Sequence, residues 1–290
     1  MRVTSFCPGH ITGFFQIVEH EDPLRSGSRG AGMCVALGAK CDLEATPGNG
    51  KIEVRLDGRK RPAPVTIDAI AGLPGHERMD CVISIENELP TGQGFGMSAA
   101  GALAAGLAAS ATLGLGRDDA IKAAHRAEIK NRTGLGDVAA LSIGGITSRQ
   151  KEGIPPHGLV NRIDGDPEVV LCVIGRPIST AKAISDPEIK ETVHAIGSEC
   201  VKRMAGSPSL LSLMRLSREF MTRTGLADPK VEEAVEAVER AGGKASMVML
   251  GTSVFALGDI DGLYDILRRF GHAYRTRVDL LGPRIISIES

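Results

Sequence analysis

The chain has 290 residues, 42% hydrophobic and 24% charged, with a formal net charge of −1. That length allows one large domain or two modest ones, and the composition is that of a soluble globular protein. The balanced charge excludes a nucleic-acid surface or a polybasic membrane anchor, and Arg59-Lys60-Arg61 reads as a short solvated loop.

There is no Trp and there are only two Tyr and seven Phe, too few for base-stacking platforms. Cys7, Cys34, Cys41, Cys81, Cys172 and Cys200 form no C-x-x-C pair, and most lie in apolar strand-like runs. Buried free thiols in a reducing cytosol are expected. Met1–Ser5 has no apolar h-region and no apolar run reaches membrane-spanning length, so a cytoplasmic protein is expected.

In chain order, Arg2–Cys7 reads as a short strand and Met33–Leu43 as a long buried one. Ile52–Leu56 and Cys81–Glu86 alternate as strands do. A glycine-rich turn, Pro90-Thr-Gly-Gln-Gly-Phe-Gly-Met-Ser98, then leads into Ala99–Leu113, apolar all round and predicted as a buried helix. An amphipathic helix follows at about Arg117–Arg132, with Asp118 or Asp119 favouring its N-terminus. Gly134-Leu-Gly-Asp137 breaks the pattern, and a short helix and Gly144-Gly145 lead back to strands. Asn161–Pro167 is dense in turn formers and suggests a junction, dividing the chain into residues 1–165 and 166–290. Beyond it come a strand at Glu168–Ile174 and several helices, the clearest opened by Asp228-Pro229 as cap and first residue. Strands at Lys244–Leu250 and Ser253–Leu257, a helix at Ile260–Phe270 and a strand at Arg284–Ile288 complete an α+β pattern.

Three stretches could carry chemistry. A strand, a glycine-rich turn and a helix N-terminus converge backbone N–H groups on an anion, so Pro90–Ser98 is a candidate phosphate site. It lacks the lysine of a Walker loop and the spacing of a dinucleotide fingerprint, and a ligand-free connector remains open on local pattern alone. On a helical wheel Glu128 points roughly 200° from the Lys122/Arg126/Lys130 face, and a buried carboxylate needs a partner. Mg²⁺ beside phosphates would serve, as would a salt bridge to His125 or Arg132. Asp137, after a glycine turn, fits either an N-cap or a base that takes a hydroxyl proton.

Taken in order, these stretches resemble the GHMP kinase superfamily. Pro90-Thr-Gly-Gln-Gly-Phe-Gly-Met-Ser-Ala-Ala100 matches its loop P-x-x-x-G-[LF]-G-x-S-[AS]-A, and Cys7-Pro-Gly-His-Ile11 is similar to its first motif. Gly242–Phe255 resembles its third motif, though poorer in glycine, and Met97 stands where many members carry Ser. Cys7–Phe15, Ser26–Gly32 and Thr133–Val138 are similar to the archaeal pantoate kinase group.

The resemblance implies the GHMP two-domain fold, with a ribosomal protein S5 domain 2-like N-terminal domain and a ferredoxin-like C-terminal domain. It implies phosphorylation of the primary hydroxyl of pantoate by ATP with Mg²⁺, on an archaeal route to coenzyme A. Pro90, Gly92, Gly94, Gly96, Met97, Ser98, Ala99 and Ala100 would form the nucleotide loop. Ser98 and Glu128 would hold Mg²⁺, and Asp137 would act on the acceptor hydroxyl. His10, Thr12 and Arg29 would face pantoate, with Arg29 the candidate for its carboxylate. A homodimer is compatible with the family. A kinase for homoserine, shikimate or mevalonate, another enzyme on the same scaffold such as a decarboxylase, and a non-catalytic nucleotide sensor are the rival readings.

Overall fold

The chain's computed structural model describes residues 1–177 and 187–289. Its first strand, β1 (Arg2–Val18), pairs antiparallel with β2 (Gly27–Pro47) over its whole length. The sequence predicts β1 only to Cys7, because Pro8-Gly9 and Gly13 look like breakers. The sheet absorbs them as register shifts, at Pro8/Gly9 and at Thr12/Phe14. The extra length carries His10 and Thr12 to the middle of the molecule.

The first sheet runs β12-β1-β2-β5-β3-β4, using β3 (Ile52–Leu56), β4 (Arg59–Lys60), β5 (Met79–Asn87) and the terminal β12 (Arg284–Glu289). Only the β3–β5 pair is parallel. Before Gly38, β2 is paired instead with β6 (Ile146–Lys151), which pairs with β7 (Leu159–Ile163). Three helices form a layer on this sheet: α1 (Pro64–Ala71), α2 (Met97–Leu113) and α3 (Arg117–Asn131). Helix α2 is built almost wholly of Ala, Gly and Leu and is buried from Ala99 to Ser110. Its small side chains let β1, β2, α1 and α3 all pack against it closely. Helix α1 carries only a weak apolar stripe, which hides it from a periodicity search.

The second sheet runs β11-β8-β10-β9, all antiparallel, from β8 (Glu168–Val173), β9 (Lys244–Val248), β10 (Ser253–Leu257) and β11 (His272–Arg277). This 4-1-3-2 order of βαββαβ is ferredoxin-like. Strand β11 is an edge strand, His-Ala-Tyr-Arg-Thr-Arg, too polar to be recognised in the sequence. Helix α5 (Pro187–Gly206) packs on β1, β2 and β6, and α6 (Leu210–Thr224) touches both β1 and β9; α7 (Pro229–Arg240) packs on β9 and β10, and α8 (Ile260–Leu267) on β8 and β11. Asp228 caps α7, accepting from the Lys230 N–H at 2.9 Å, with Pro229 as first helical residue. All six cysteines are buried free thiols. Among the described residues no helix is long and apolar enough to cross a membrane.

Candidate active site

The turn between β5 and α2 is held open by three left-handed glycines, Gly92 (φ 73°), Gly94 (φ 83°) and Gly96 (φ 63°). Gly96 caps α2 without a side chain, so the first-turn N–H groups of the helix face the cleft uncapped. Together they form a positively polarised concavity suited to phosphate oxygens. Gly92, Gly94, Gly96, Met97, Ser98 and Ala99 line a cleft of about 270 Å³, whereas Ala100 is buried in the helix layer. The loop is fixed from below, where the His10 N–H donates to Phe95 O at 2.9 Å. A second, more apolar recess of about 120 Å³ opens beside it and shares Met97, Ser98 and Thr133. Its polar wall includes Asn87, whose Oδ1 is buried and unpartnered.

Asp137 opens the short helix α4 (Asp137–Leu141), but it is the first helical residue, and Gly136 is the cap. Its carboxylate turns back across the cleft, where Oδ1 lies 2.7 Å from His10 Nδ1. His10 is wholly buried, and burial lowers its pKa more than Asp137 raises it. A neutral ring then has one arrangement that suits both neighbours: Nδ1–H donates to Asp137, and Nε2 accepts from Arg149 Nη1 at 3.4 Å. A chain Arg149–His10–Asp137 thus aims one carboxylate at the phosphate loop. A Cβ on Gly96 would sit 3.3 Å from Asp137 Cγ, so loop and carboxylate are immediate neighbours. Thr12, on the cleft wall, lies 3.4 Å from His10 Nδ1 through its Oγ1.

Glu128 on α3 is also fully buried, behind the Gly134–Gly136 turn rather than on the cleft surface. Its Oε1 accepts from the Asp137 N–H at 3.2 Å and its Oε2 from the Val138 N–H at 3.4 Å. The nearby His125 Nδ1, at 3.8 Å, belongs to a ring that burial keeps neutral. Desolvation first, and the Asp137 charge second, push the Glu128 carboxyl above its ordinary range. A Cβ at Gly134 would strike Glu128 Oε1 and lie 2.7 Å from Asp137 Oδ2, so both carboxylates converge on that bare α-carbon. Of the salt-bridge partners the sequence allows, His125 is adjacent but uncharged, and Arg132 lines the cleft at the left-handed end of α3.

A model of the GHMP kinase N-terminal domain matches residues 66–145, which include the phosphate loop, Glu128 and Asp137. The chain is 32% identical to a pantoate kinase of Methanospirillum hungatei, over 98% of this chain and 96% of that one. The chain belongs to the pantoate kinase family of GHMP kinases. A second member, from Thermococcus kodakarensis, is 32% identical over 89% of this chain and 88% of its own. A solved structure described as a phosphotransferase related to the CoA biosynthesis pathway superposes with a TM-score of 0.89 at 28% identity, covering 98% of both chains. Membership in the GHMP kinases implies ATP as the phosphoryl donor.

In this pantoate kinase family member the sequence motifs converge unevenly. His10, Thr12, Ser98 and Asp137 meet around the loop, but Arg29 does not line the cleft. It is bound through Nε to Glu152 Oε2 at 2.7 Å. The arginine beside the site is Arg149 on β6, 1% exposed, opposite Gly30 of β2 and with its Nε unpartnered. Sequence reasoning passes over it because a single Arg in Ile-Thr-Ser-Arg-Gln-Lys looks like a solvent-facing strand residue. Ser28 is likewise missed, though it lines the cleft. Gly136 admits both, since a Cβ there would strike Ser28 Oγ and lie 3.1 Å from Arg149 Nε.

Proposed function

We propose that this protein transfers the γ-phosphoryl group of ATP to the primary hydroxyl of pantoate, giving 4-phosphopantoate and ADP. The observation that carries this reading is the His10-oriented Asp137 carboxylate beside Gly96 of a phosphate loop, in a chain of the pantoate kinase family. The nucleotide phosphates lie over the N-terminus of α2, and the base occupies the recess walled by Pro62, Pro64 and Asn87. Asp137 receives the hydroxyl proton as that oxygen bonds to the γ-phosphorus and the bond to ADP breaks. The uncapped N–H groups of α2 stabilise the charge on the moving group.

The residues fit a Mg²⁺ ion. Glu128 is a buried carboxylate with only backbone N–H groups for donors in hydrogen-bond contact, and Ser98 lines the neighbouring cleft together with Gly134. One or two protein oxygens beside phosphates are the usual protein share of such a site. Bound there, Mg²⁺ would neutralise phosphate charge. Ser28 and Thr12 supply hydroxyl contacts to pantoate, and the Arg149 guanidinium beneath Gly136 supplies the positive field for its carboxylate. Residues 1–165 make up the nucleotide-binding half under this reading, and residues 166–290 the second half, whose last strand β12 returns to the first sheet.

The test is ADP release with Mg·ATP across pantoate, pantothenate, homoserine, shikimate and mevalonate. Release with pantoate alone is expected. Release with another of these alcohols in its place would refute the acceptor, and release with none would refute the kinase.

A further inference from the structure

We infer that Gln93 is a positioning residue that couples nucleotide binding at the phosphate loop to the second sheet, an inference that rests on the nucleotide reading of that loop. Gln93 is the central residue of Pro90–Gly96, yet its side chain is 2% exposed and leaves the cleft altogether. It enters the second sheet between the end of β8 and the start of β10. There its Oε1 lies 3.3 Å from the Thr252 N–H, 3.0 Å from Thr252 Oγ1 and 3.1 Å from Ser253 Oγ. Its Nε2 donates to Gly175 O at 3.0 Å. The Thr252 amide can only donate and the Gly175 carbonyl can only accept, so the orientation of the Gln93 amide is determined.

The backbone repeats the same connection. A Cβ on Gly94 would lie 2.6 Å from Met249 O and 2.8 Å from Val248 Cγ1, and one on Gly251 would strike Gln93 O. On its other side the Met249 N–H donates to Thr12 O at 3.1 Å, so the 249–252 turn is gripped by β1 as well. This gives the third motif a task that does not require it to touch nucleotide. Its turn is poor in glycine and rich in hydroxyls because Thr252 and Ser253 serve the Gln93 amide. Three left-handed glycines make the loop soft, and a buried amide bonded through both its oxygen and its nitrogen makes one shape of it preferred. A loop preorganised in that shape binds phosphate without first being ordered. Coupling is reciprocal, so nucleotide on the loop must tighten the strands to which Gln93 is bonded.

The experiment is amide hydrogen exchange of the whole chain with and without Mg·ATP, in the unmodified protein and in Gln93→Met, which keeps the volume and removes the bonds. Thr252→Val with Ser253→Ala removes only hydroxyl donors and stands in should Gln93→Met fail to fold. In the unmodified protein Mg·ATP is expected to slow exchange both at residues 94–100 and at 171–173 and 253–257. In either variant the loop's protection remains and that of the second sheet is lost, while Mg·ATP binding weakens by roughly tenfold. Combining the variants should add little further, because they cut the same bonds. Loop protection with equal second-sheet protection in all proteins overturns the role of Gln93 and leaves the nucleotide reading standing. Protection of neither region in the unmodified protein overturns both. A variant that lowers the melting temperature but binds Mg·ATP normally makes Gln93 merely structural and overturns the inference.

Discussion

His10 offers the sharpest test of the site, because it is hidden from the cleft yet bonded to both Asp137 and Arg149. Replacing it by Ala removes a 2.7 Å bond to a carboxylate and leaves a buried arginine donor without its acceptor. A hydrogen bond to a charged group contributes about 1.5–3 kcal/mol, and orphaning a buried donor costs a similar amount, so a loss of roughly 3–5 kcal/mol is expected. For a chain of this size that corresponds to a fall in Tm on the order of 5–10 °C. Turnover should suffer more, since a misplacement of about 1 Å at an acceptor carboxylate can cost roughly 100-fold in kcat. Binding of ATP should change little, because the backbone bond from residue 10 to Phe95 O survives the substitution. His10→Asn retains a donor at the Nδ1 position and drops only the Arg149 bond, so it should recover most of the turnover. Steady-state kinetics with saturating pantoate and thermal unfolding measure both effects. A His10→Ala enzyme within threefold of normal kcat would mean that Asp137 is aimed by something else.

Asp137→Asn should bind Mg·ATP normally in calorimetry but lose about 100-fold or more in turnover; near-normal turnover would remove it from proton transfer. Gly134→Ala drives a methyl into Glu128 Oε1 and Asp137 Oδ2, so both stability and activity should fall, and an unchanged protein would refute the convergence of the two carboxylates. Without ligand, the buried histidines should cost stability as pH falls below about 6.5, and Glu128 as pH rises above about 4.3. Burial lowers the His10 and His125 pKa values, so their contribution is full above about 6.5 and is lost as pH falls through the depressed folded values. Burial and the Asp137 charge raise that of Glu128, so its contribution is full below about 4.3 and is lost as pH rises through the raised folded value. Glu128→Gln should therefore lessen the fall of Tm with rising pH and weaken activation by Mg²⁺; an unchanged slope would place the titration elsewhere.

Much of this architecture is legible in the chain because its signals are local. Helix α2 shows itself by composition, α7 by its Asp-Pro start, and the phosphate loop by glycines at alternate positions that only left-handed backbone explains. Glu128 is legible because a wheel puts a charge on an apolar face. The parts that escape depend on distant pairing. β1 reads as broken at Pro8-Gly9 because the bulge that rescues it is a property of β2. Arg149 and Arg29 cannot be ranked from sequence, since what separates them is that one finds Glu152 and the other is enclosed by Gly30, Gly136 and His10. Asp137 fits a cap equally well until β1 is known to carry His10 to within 2.7 Å of it.

The charges of the site then account for one another. Arg149 carries one positive charge, Glu128 and Asp137 carry up to two negative ones, and His10 is a neutral bridge between the arginine and the exposed carboxylate. With both acids ionised the cluster is one cation short, and burial together with the Asp137 charge favours the protonated form of Glu128. Glu128 is the carboxylate that would hold a divalent cation beside nucleotide, and such a cation would supply the missing charge. In the proposed reaction the hydroxyl proton goes to Asp137, the carboxylate that His10 aims and the cleft exposes. This division of labour requires Glu128 behind the glycine turn and Asp137 in front of it, which is the arrangement that the bare α-carbon of Gly134 permits.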